Sequence, residues 1–244
     1  SAAAAPGPVR VLPLADALAW EAARLADVAA GRCAAAALLW SCEAALVAPL
    51  RMSTLSGFSA ARTRAEAAGW PVHLRLTGGD LVPQGPGIVN LTLVFRAPQG
   101  AAPSLDGAYR RLTMPICEAL SGVGISACHA PVCGAFCDGR FNVTIAGRKF
   151  AGTAQRWRPM AGGHAVQAHA LMLMRAPRDS TIAALNRFHR DCGTERVIEA
   201  SAHVGLLDLL PTEGWKVAQH HFLGTIADRV RLWPACCPSG AGCG

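Results

Sequence analysis

A run of β-rich sequence broken by one tight turn constrains the fold of this chain most strongly. The segments FNVTIAG and RKFAGTAQRW, residues 141–157, meet at the small pair Ala146-Gly147, which suits a hairpin turn. A third segment rich in apolar residues, HAVQAHALMLM, follows at 164–174. We predict that these segments form three consecutive strands of one sheet.

Helical and strand patterns are intermixed along the rest of the chain. Apolar periodicity and glycine stops predict helices at 14–30, 59–69, from Ser104 onward, 181–190 and 215–230. Strand-forming residues predict strands at 33–40, 43–50, 70–76 and 88–95. The expected apolar face of the first helix contains Leu14, Leu18, Ala22 and Leu25. That of the helix from Ser104 contains Leu105, Ala108, Leu112 and Ile116. Because strands and helices do not alternate strictly, we predict an α+β fold with a mixed, largely antiparallel central sheet flanked by helices.

Length and composition indicate one large core. The chain has 244 residues, of which 52% are apolar and 16% charged. We predict a single domain at 14–232, between a flexible amino-terminal segment at 1–13 and a flexible tail at 233–244 that is rich in Cys, Gly and Pro. No segment has the length and apolarity of a membrane span, and no secretory signal pattern is present, so we expect a cytoplasmic protein.

The net charge of +7 favours an acidic macromolecular partner, because complementary fields speed and orient an encounter. A solvated surface rich in arginine would give the same charge. Nucleic acid is a poor candidate, since no basic run exceeds two residues and the chain has a single Tyr for base stacking.

Ten cysteines raise the alternatives of a disulfide scaffold and a metal site. Chain length and the missing signal pattern argue against the scaffold. Only Cys128, His129, Cys133 and Cys137 cluster, and the second ligand pair of a zinc module is missing. We therefore expect no metal ion.

Lys149 stands out because the chain has only one other lysine, Lys216, and otherwise uses arginine. An ammonium group can lose its proton when it is desolvated, whereas a guanidinium cannot. Chain reversal at Gly147 would bring Lys149 alongside residues 143–145, near Cys137, and a nearby ammonium favours a thiolate nucleophile. The alternatives are a strand lysine that reaches water and an inert buried cysteine.

The segment TGGDLVPQGPG, residues 77–87, holds four Gly and two Pro and predicts an irregular loop. The pair Gly78-Gly79 lets a bound group approach the backbone, whose free amides can hold a carbonyl or carboxylate. An ordinary tight connection is the alternative. The spacing matches neither a dinucleotide-binding motif nor a P-loop.

Two motifs in this order resemble the biotin/lipoate protein ligase and octanoyltransferase superfamily. The first contains Arg75, Thr77, Gly78, Gly79, Gly87 and Asn90. The second is similar to the cysteine-dependent octanoyl-[glycine cleavage H protein]:protein N-octanoyltransferase branch at residues 136–137, 139, 141–145, 147, 149–152 and 154–156. The similarity extends from about residue 14 to 210.

The resemblance implies a class II synthetase-like fold, as in biotin and lipoate ligases, and a thioester acyl-enzyme. Cys137 would be the acyl-accepting nucleophile, and Lys149 would stabilise the thiolate and oxyanion and help to deprotonate the incoming lysine. The implied substrate-binding residues are Arg75, Thr77, Gly78, Gly79, Asn90, Gly139, Gly152 and Gln155. Candidate walls of an apolar acyl slot are Val89, Leu91, Val143 and Ile145.

The implied function is transfer of octanoyl or lipoyl groups to the lysine of lipoyl domains, with no cofactor required. Expected partners are the acidic glycine cleavage H protein, acyltransferase subunits of 2-oxoacid dehydrogenases, or acyl carrier protein. Asp80 and Gln84 depart from the family's loop pattern and leave the acyl donor open. Two alternatives stay open: an ATP- and magnesium-dependent lipoate or biotin ligase, and a non-catalytic protein that binds acyl groups or carriers.

Overall fold

Ten strands in two sheets and five helices form the part of the chain that the computed structural model describes, residues 9–98 and 104–231. The strands are β1 (Arg10–Val11), β2 (Ala35–Ser41), β3 (Ala45–Pro49), β4 (Val72–Arg75), β5 (Val82–Gln84), β6 (Ile88–Pro98), β7 (Cys128–His129), β8 (Val143–Ile145), β9 (Arg148–Met160) and β10 (Gly163–Leu173). The helices are α1 (Leu14–Ala29), α2 (Phe58–Ala67), α3 (Leu105–Gly122), α4 (Asp179–Asp191) and α5 (Trp215–Arg231).

The large sheet has the strand order β1-β2-β6-β10-β9-β8-β7. All its neighbouring pairs are antiparallel except β1 and β2, which are parallel. The predicted run of three consecutive strands is confirmed as β8, β9 and β10, with β10 at the centre between β9 and β6. The predicted α+β class with a mixed, largely antiparallel sheet is therefore confirmed.

The small sheet contains β4, β3 and β5, with β3 in the middle. The prediction that all of residues 77–87 are irregular is wrong for Val82–Gln84, because these residues form β5 and pair antiparallel with β3. Pro83 is compatible with this strand because β5 lies at an edge, where a missing N–H breaks no ladder on the outer side.

Two cores lie on opposite faces of the large sheet. One lies between the sheet and the helices α3 and α5, and it includes Leu91, Leu112 and Phe222. The other includes Leu14 of α1, residues of β3, and Phe188 of α4, so it joins α1, the small sheet, α2 and α4 to the opposite sheet face. Loops that leave the edges of both sheets meet beside this second core.

Three sequence-based expectations need correction. Ala22 of α1 is exposed, and the buried face instead contains Glu21, whose carboxylate has hydrogen-bond donors on the sheet. Leu105 is 56% exposed because it opens α3, although Ala108, Leu112 and Ile116 are buried as predicted. Arg10 and Val11, expected in a flexible segment, pair with β2.

The rest of the predicted flexible segments, residues 1–8 and 233–244, lies outside the described residues. Within the described part of the chain, no helix is both long enough and apolar enough to cross a membrane.

Candidate functional site

The hairpin of β8 and β9 places Lys149 opposite Thr144, which confirms the expected neighbourhood of Lys149 and residues 143–145. Ala146 and Gly147 form the turn with φ values of 48° and 74°. Two consecutive residues with positive φ are the signature of a type I′ hairpin turn. The turn therefore fixes the register that directs Lys149 inward.

The amine of Lys149 lies beneath the residues around Cys137. It donates hydrogen bonds to the carbonyl oxygens of Phe136, at 2.5 Å, and of Cys137, at 2.8 Å. It also lies 4.7 Å from the centre of the Phe136 ring. A Cβ atom at Gly152 would come within 2.9 Å of the amine, so the glycine leaves the space in which this side chain runs.

Burial lowers the pKa of Lys149 to about 8, because the side chain is fully enclosed and desolvation disfavours the ammonium form. The neighbouring Cys137 and Asp138 oppose this change, while Arg196 and Arg75 add to it. A lysine whose pKa lies near neutrality can both hold and release a proton, which an arginine at this position could not do.

Cys137 lies in a strained turn of the backbone, residues 135–137, which we call the Cys137 corner. Its φ is 48°, a left-handed conformation that non-glycine residues seldom adopt and that costs roughly 1–3 kcal/mol. Such strain is often found at functional sites. The half-buried sulfur accepts a hydrogen bond from the backbone N–H of Asp80 at 3.2 Å. The glycine loop and the cysteine are thus brought together.

Arg75 shapes the glycine loop from inside. Its Nη2 atom donates to the carbonyl oxygens of Gly78, at 3.0 Å, and Asp80, at 2.8 Å. With these carbonyls turned toward Arg75, the N–H of Asp80 is directed at the sulfur. Gly79 has a φ of 103°, and a Cβ there would lie 2.6 Å from the Cys137 sulfur. The close approach of loop and sulfur therefore requires glycine at 79.

A histidine from the other end of the chain holds the backbone of the same corner. His203 accepts the N–H of Phe136 on Nε2 at 3.2 Å, and its Nδ1 donates to the Glu199 carbonyl oxygen at 2.9 Å. Its ring stacks on Phe136, with centroids 4.5 Å apart. Burial, together with the nearby Lys149, lowers the pKa of His203 to about 4. His203 is therefore a neutral structural partner of the corner.

The other predicted binding residues lie at different places. Thr77 is buried and Gly139 is exposed, each on a loop next to the corner. Asn90 is fully buried and exchanges two hydrogen bonds with Gln84, at 2.9 and 3.0 Å. Gln155 donates to the Leu105 carbonyl oxygen and accepts from the indole of Trp157.

The residues proposed as walls of an acyl slot are core residues. Leu91, Val143 and Ile145 are buried between the sheet and the helices α3 and α5, as is Val89. Cys137 packs instead against the core on the opposite sheet face. A cavity of about 1000 Å³ opens near Val89 and Gln84, and neither Cys137 nor Lys149 lines it.

The clustered cysteines do not gather at one point. His129 pairs with the Thr113 hydroxyl at 2.9 Å, whereas the Cys137 sulfur faces the glycine loop. In residues 9–98 and 104–231, no three His, Cys, Asp or Glu side chains are placed to hold a metal ion.

The sequence motifs did not identify Arg196 and His203. Both contact the Cys137 corner, yet they lie more than 55 residues from it along the chain and in no recognisable pattern. The one available signal was Asp80, because a carboxylate in a glycine loop needs a nearby cation. The sequence alone could not tell which of the many arginines supplies it.

Comparison with known proteins relates this site to one group of enzymes. Residues 13–217 match the lipoyl protein ligase A/B catalytic domain. An uncharacterized protein of Cupriavidus necator is 37% identical over 215 residues, 83% of this chain and 82% of that protein. The octanoyl-[GcvH]:protein N-octanoyltransferase of Kyrpidia tusciae is 35% identical over 163 residues, 63% of this chain. That match spans 55% of the transferase, just over half of its length.

A solved structure shares the fold. It is a putative lipoate protein ligase from T. acidophilum with bound lipoic acid, with a TM-score of 0.59 and 16% sequence identity. The alignment covers 90% of this chain and 86% of that one. The expected resemblance to the lipoate ligase fold is therefore confirmed.

Proposed function

This chain belongs to the lipoyl protein ligase A/B catalytic domain family, and we propose that it transfers octanoyl or lipoyl groups between proteins through a thioester on Cys137. The family match and the similarity to octanoyltransferases support lipoyl or octanoyl transfer in general. The cysteine mechanism is our own inference from the geometry of the corner.

One observation carries the mechanism. The Cys137 sulfur receives the Asp80 N–H at 3.2 Å, while the Lys149 amine lies under the carbonyl of the same cysteine at 2.8 Å. The sulfur and the carbonyl oxygen of one cysteine are thus each met by a hydrogen-bond donor, which places the thiol in a polar corner suited to a nucleophile. A cysteine in ordinary core packing needs neither a positive φ nor a converging amide.

In the first half-reaction, the Cys137 thiolate attacks the acyl carbonyl of an acylated carrier. The new S–C bond gives a tetrahedral oxyanion, which in this proposal is stabilised by backbone amides near Gly78 and Gly79; one such donor contributes about 3 kcal/mol in other enzymes. The bond to the donor's lysine nitrogen, or to a carrier sulfur, then breaks. The leaving nitrogen takes a proton that the Lys149 ammonium supplies.

In the second half-reaction, the amine of the acceptor lysine attacks the thioester carbonyl. Neutral Lys149 takes the proton from that nitrogen, and the C–S bond breaks to return the thiolate. A pKa of about 8 suits this exchange, because both forms of Lys149 are populated near neutral pH. The cycle needs no cofactor, because the thioester formed in the first half-reaction is consumed in the second, and the net reaction exchanges one acyl linkage for another.

The partners we propose are acidic lipoyl domains, such as the glycine cleavage H protein and acyltransferase subunits of 2-oxoacid dehydrogenases, or acyl carrier protein. The net charge of +7 supports an acidic partner. The name of the Kyrpidia tusciae relative supports the H protein as one of them.

A transfer assay tests this function. Octanoylated H protein, octanoyl acyl carrier protein and free octanoate are each offered with an unmodified lipoyl domain, with and without ATP and magnesium. We expect transfer from an acylated carrier without ATP, and its loss in Cys137→Ala. Cys133→Ala is the matched control, because Cys133 is an exposed cysteine four residues away.

Other outcomes would identify the alternatives. Transfer from free octanoate that needs ATP and survives Cys137→Ala would mean a ligase, with an acyl-adenylate in place of the thioester. Binding of the acylated carrier without turnover would mean a non-catalytic binding protein.

A further inference from the structure

We propose that Arg196 is a positioning residue for the reaction at Cys137, acting through Asp80. This inference rests on the proposed thioester function and deepens it, because it names a second group, besides Arg75, that holds the glycine loop on the nucleophile. Arg196 lies outside both sequence motifs, in the loop after α4.

Arg196 contacts both loops of the site at once. Its Nε atom lies 2.8 Å from the Asp80 carboxylate, and its Nη2 atom donates to the Ala135 carbonyl oxygen at 2.7 Å. Asp80 is the residue whose own N–H reaches the sulfur, and Ala135 lies two residues before Cys137. One guanidinium therefore fixes the donor and the acceptor of the same hydrogen bond.

Arg196 is also the cation that balances Asp80. His189 is a further basic group near this carboxylate, with Nε2 at 3.8 Å from Oδ1. That distance is too long for a hydrogen bond. Burial lowers the pKa of His189, which keeps the ring neutral. Arg196 thus supplies a positive charge that directly faces the Asp80 carboxylate.

The segment that carries Arg196 is itself anchored. The backbone of Ile198 exchanges two hydrogen bonds with the side chain of Asn186 on α4, at 2.7 and 2.9 Å. The N–H of Glu199 donates to the Gly134 carbonyl oxygen at 2.8 Å. Because Arg196 extends from a segment that is held in place, we expect its contacts to fix the positions of the two loops and not to move with them.

The same segment continues into the corner. His203 accepts the Phe136 N–H, and the N–H of Val204 donates to the Lys149 carbonyl oxygen at 3.0 Å. Loss of Arg196 would leave these links intact. The predicted defect is therefore confined to the glycine loop, the Asp80 donor and the Arg196 contact with Ala135.

The test uses a double-mutant cycle in the full chain: Arg196→Gln, Asp80→Asn and both together. Arg64→Gln is the matched control. Arg64 also forms an ion pair with an aspartate, Asp191, at a distance of 3.2 Å, but this pair does not contact Cys137. The readouts are the single-turnover rate of Cys137 acylation by octanoylated H protein, the donor concentration at half-maximal rate, and hydrogen–deuterium exchange of residues 78–82. Melting temperature checks that each variant folds.

We expect Arg196→Gln and Asp80→Asn each to slow acylation about 30-fold, somewhat less than removal of a whole oxyanion donor. The half-maximal donor concentration should change less than twofold, and exchange at residues 78–82 should rise. The double variant should be no slower than the slower single variant, since both changes break one link. Arg64→Gln should match the native protein in every readout.

Acylation within twofold of native in both single variants would overturn the inference, as would additive losses in the double variant. If the native protein forms no acyl adduct with any donor, the proposed function fails instead. In that case hydrogen–deuterium exchange tests the contact between Arg196 and Asp80 by itself. Unchanged exchange at residues 78–82 in Arg196→Gln would refute the positioning role of Arg196. If Arg196→Gln does not fold, Asp80→Asn provides the same comparison.

Discussion

Glu21 and Lys149 are two charged side chains buried in this protein, and their surroundings differ in kind. Glu21 on α1 faces the large sheet, where Thr92, Gln167 and His169 all contact its carboxylate, at 2.6, 2.8 and 2.9 Å. Within residues 9–98 and 104–231, no carboxylate is in hydrogen-bond contact with Lys149; its amine meets two backbone carbonyls and an aromatic ring.

The difference follows from what builds each region. Thr92 and His169 are cross-strand partners on β6 and β10, so the register of the sheet delivers donors to Glu21. The Cys137 corner is built from loops and contains a positive φ. The Glu21 region thus gives a buried carboxylate its hydrogen-bond donors. At the Cys137 corner, by contrast, burial lowers the pKa of Lys149, so its ammonium group loses a proton more readily. We infer that the first region stabilises the fold and the second performs chemistry.

The largest expected effect comes from removing the amine itself. Lys149→Met should slow acylation of Cys137 about 1000-fold, because it removes the proposed proton donor and the amine that holds the Cys137 carbonyl oxygen. Lys216→Met, which changes the only other lysine, should stay within twofold. Single-turnover acylation followed by intact mass measures both. Equal rates in the two variants would show that Lys149 is only structural.

The same lysine predicts how stability depends on pH. The pKa of Lys149 is about 8 in the folded chain and near 10.5 when unfolded, so between these values the unfolded chain binds more protons. The free energy of unfolding should therefore rise by about 3 kcal/mol from pH 8 to 10.5, relative to Lys149→Met. Urea titrations at both pH values measure the rise. Glu21→Gln should show the same rise in the free energy of unfolding. If the difference in this free energy between the native protein and Lys149→Met does not change with pH, the assigned pKa is refuted.

The contact between the glycine loop and the sulfur can be tested by two neighbouring substitutions. Gly79→Ala should slow acylation about 100-fold, because its Cβ would lie 2.6 Å from the sulfur and its φ is 103°. Gly78→Ala is the control, since a Cβ there meets nothing within 4 Å. A Gly78→Ala defect as large as that of Gly79→Ala would mean that the loop approaches the sulfur differently.

The smallest effect is expected in the Glu21 region. Glu21→Gln should lower the free energy of unfolding by about 2 kcal/mol, because the amide nitrogen would face groups that donate hydrogen bonds. Acylation should stay within twofold of native. Glu66→Gln serves as the control in urea titrations, because Glu66 is exposed and pairs with the exposed Arg62. A loss of acylation in Glu21→Gln would contradict the division between the two regions.

The sequence predicted most of the sheet and the centre of the site, for local reasons. The Ala146-Gly147 turn sets the hairpin, and the hairpin sets the position of Lys149 within a few residues. The family motifs indicated Cys137 and the glycine pair. Strand-forming residues predicted β6 and a segment rich in apolar residues predicted β10, and the backbones of these two strands pair along their whole length.

What the sequence did not predict depends on contacts between distant segments. The apolar pattern of α1 did not show that Glu21 faces inward, because its three donors lie on strands 70 or more residues away. Likewise, no local signal links Arg196 to Asp80, more than 100 residues apart. The strand β5 was missed because its proline and flanking glycines resemble those of a loop, and only its place at an edge permits pairing.

The most direct test of the account is to find where the acyl group is held between donor and acceptor. The protein is incubated with octanoylated H protein alone, quenched in acid, digested and mapped by mass spectrometry, with and without hydroxylamine. We predict an octanoyl group on the peptide that contains Cys137, removable by hydroxylamine as a thioester. An octanoyl group on another residue, or a lipoyl domain that is modified with no adduct ever on Cys137, would contradict the account.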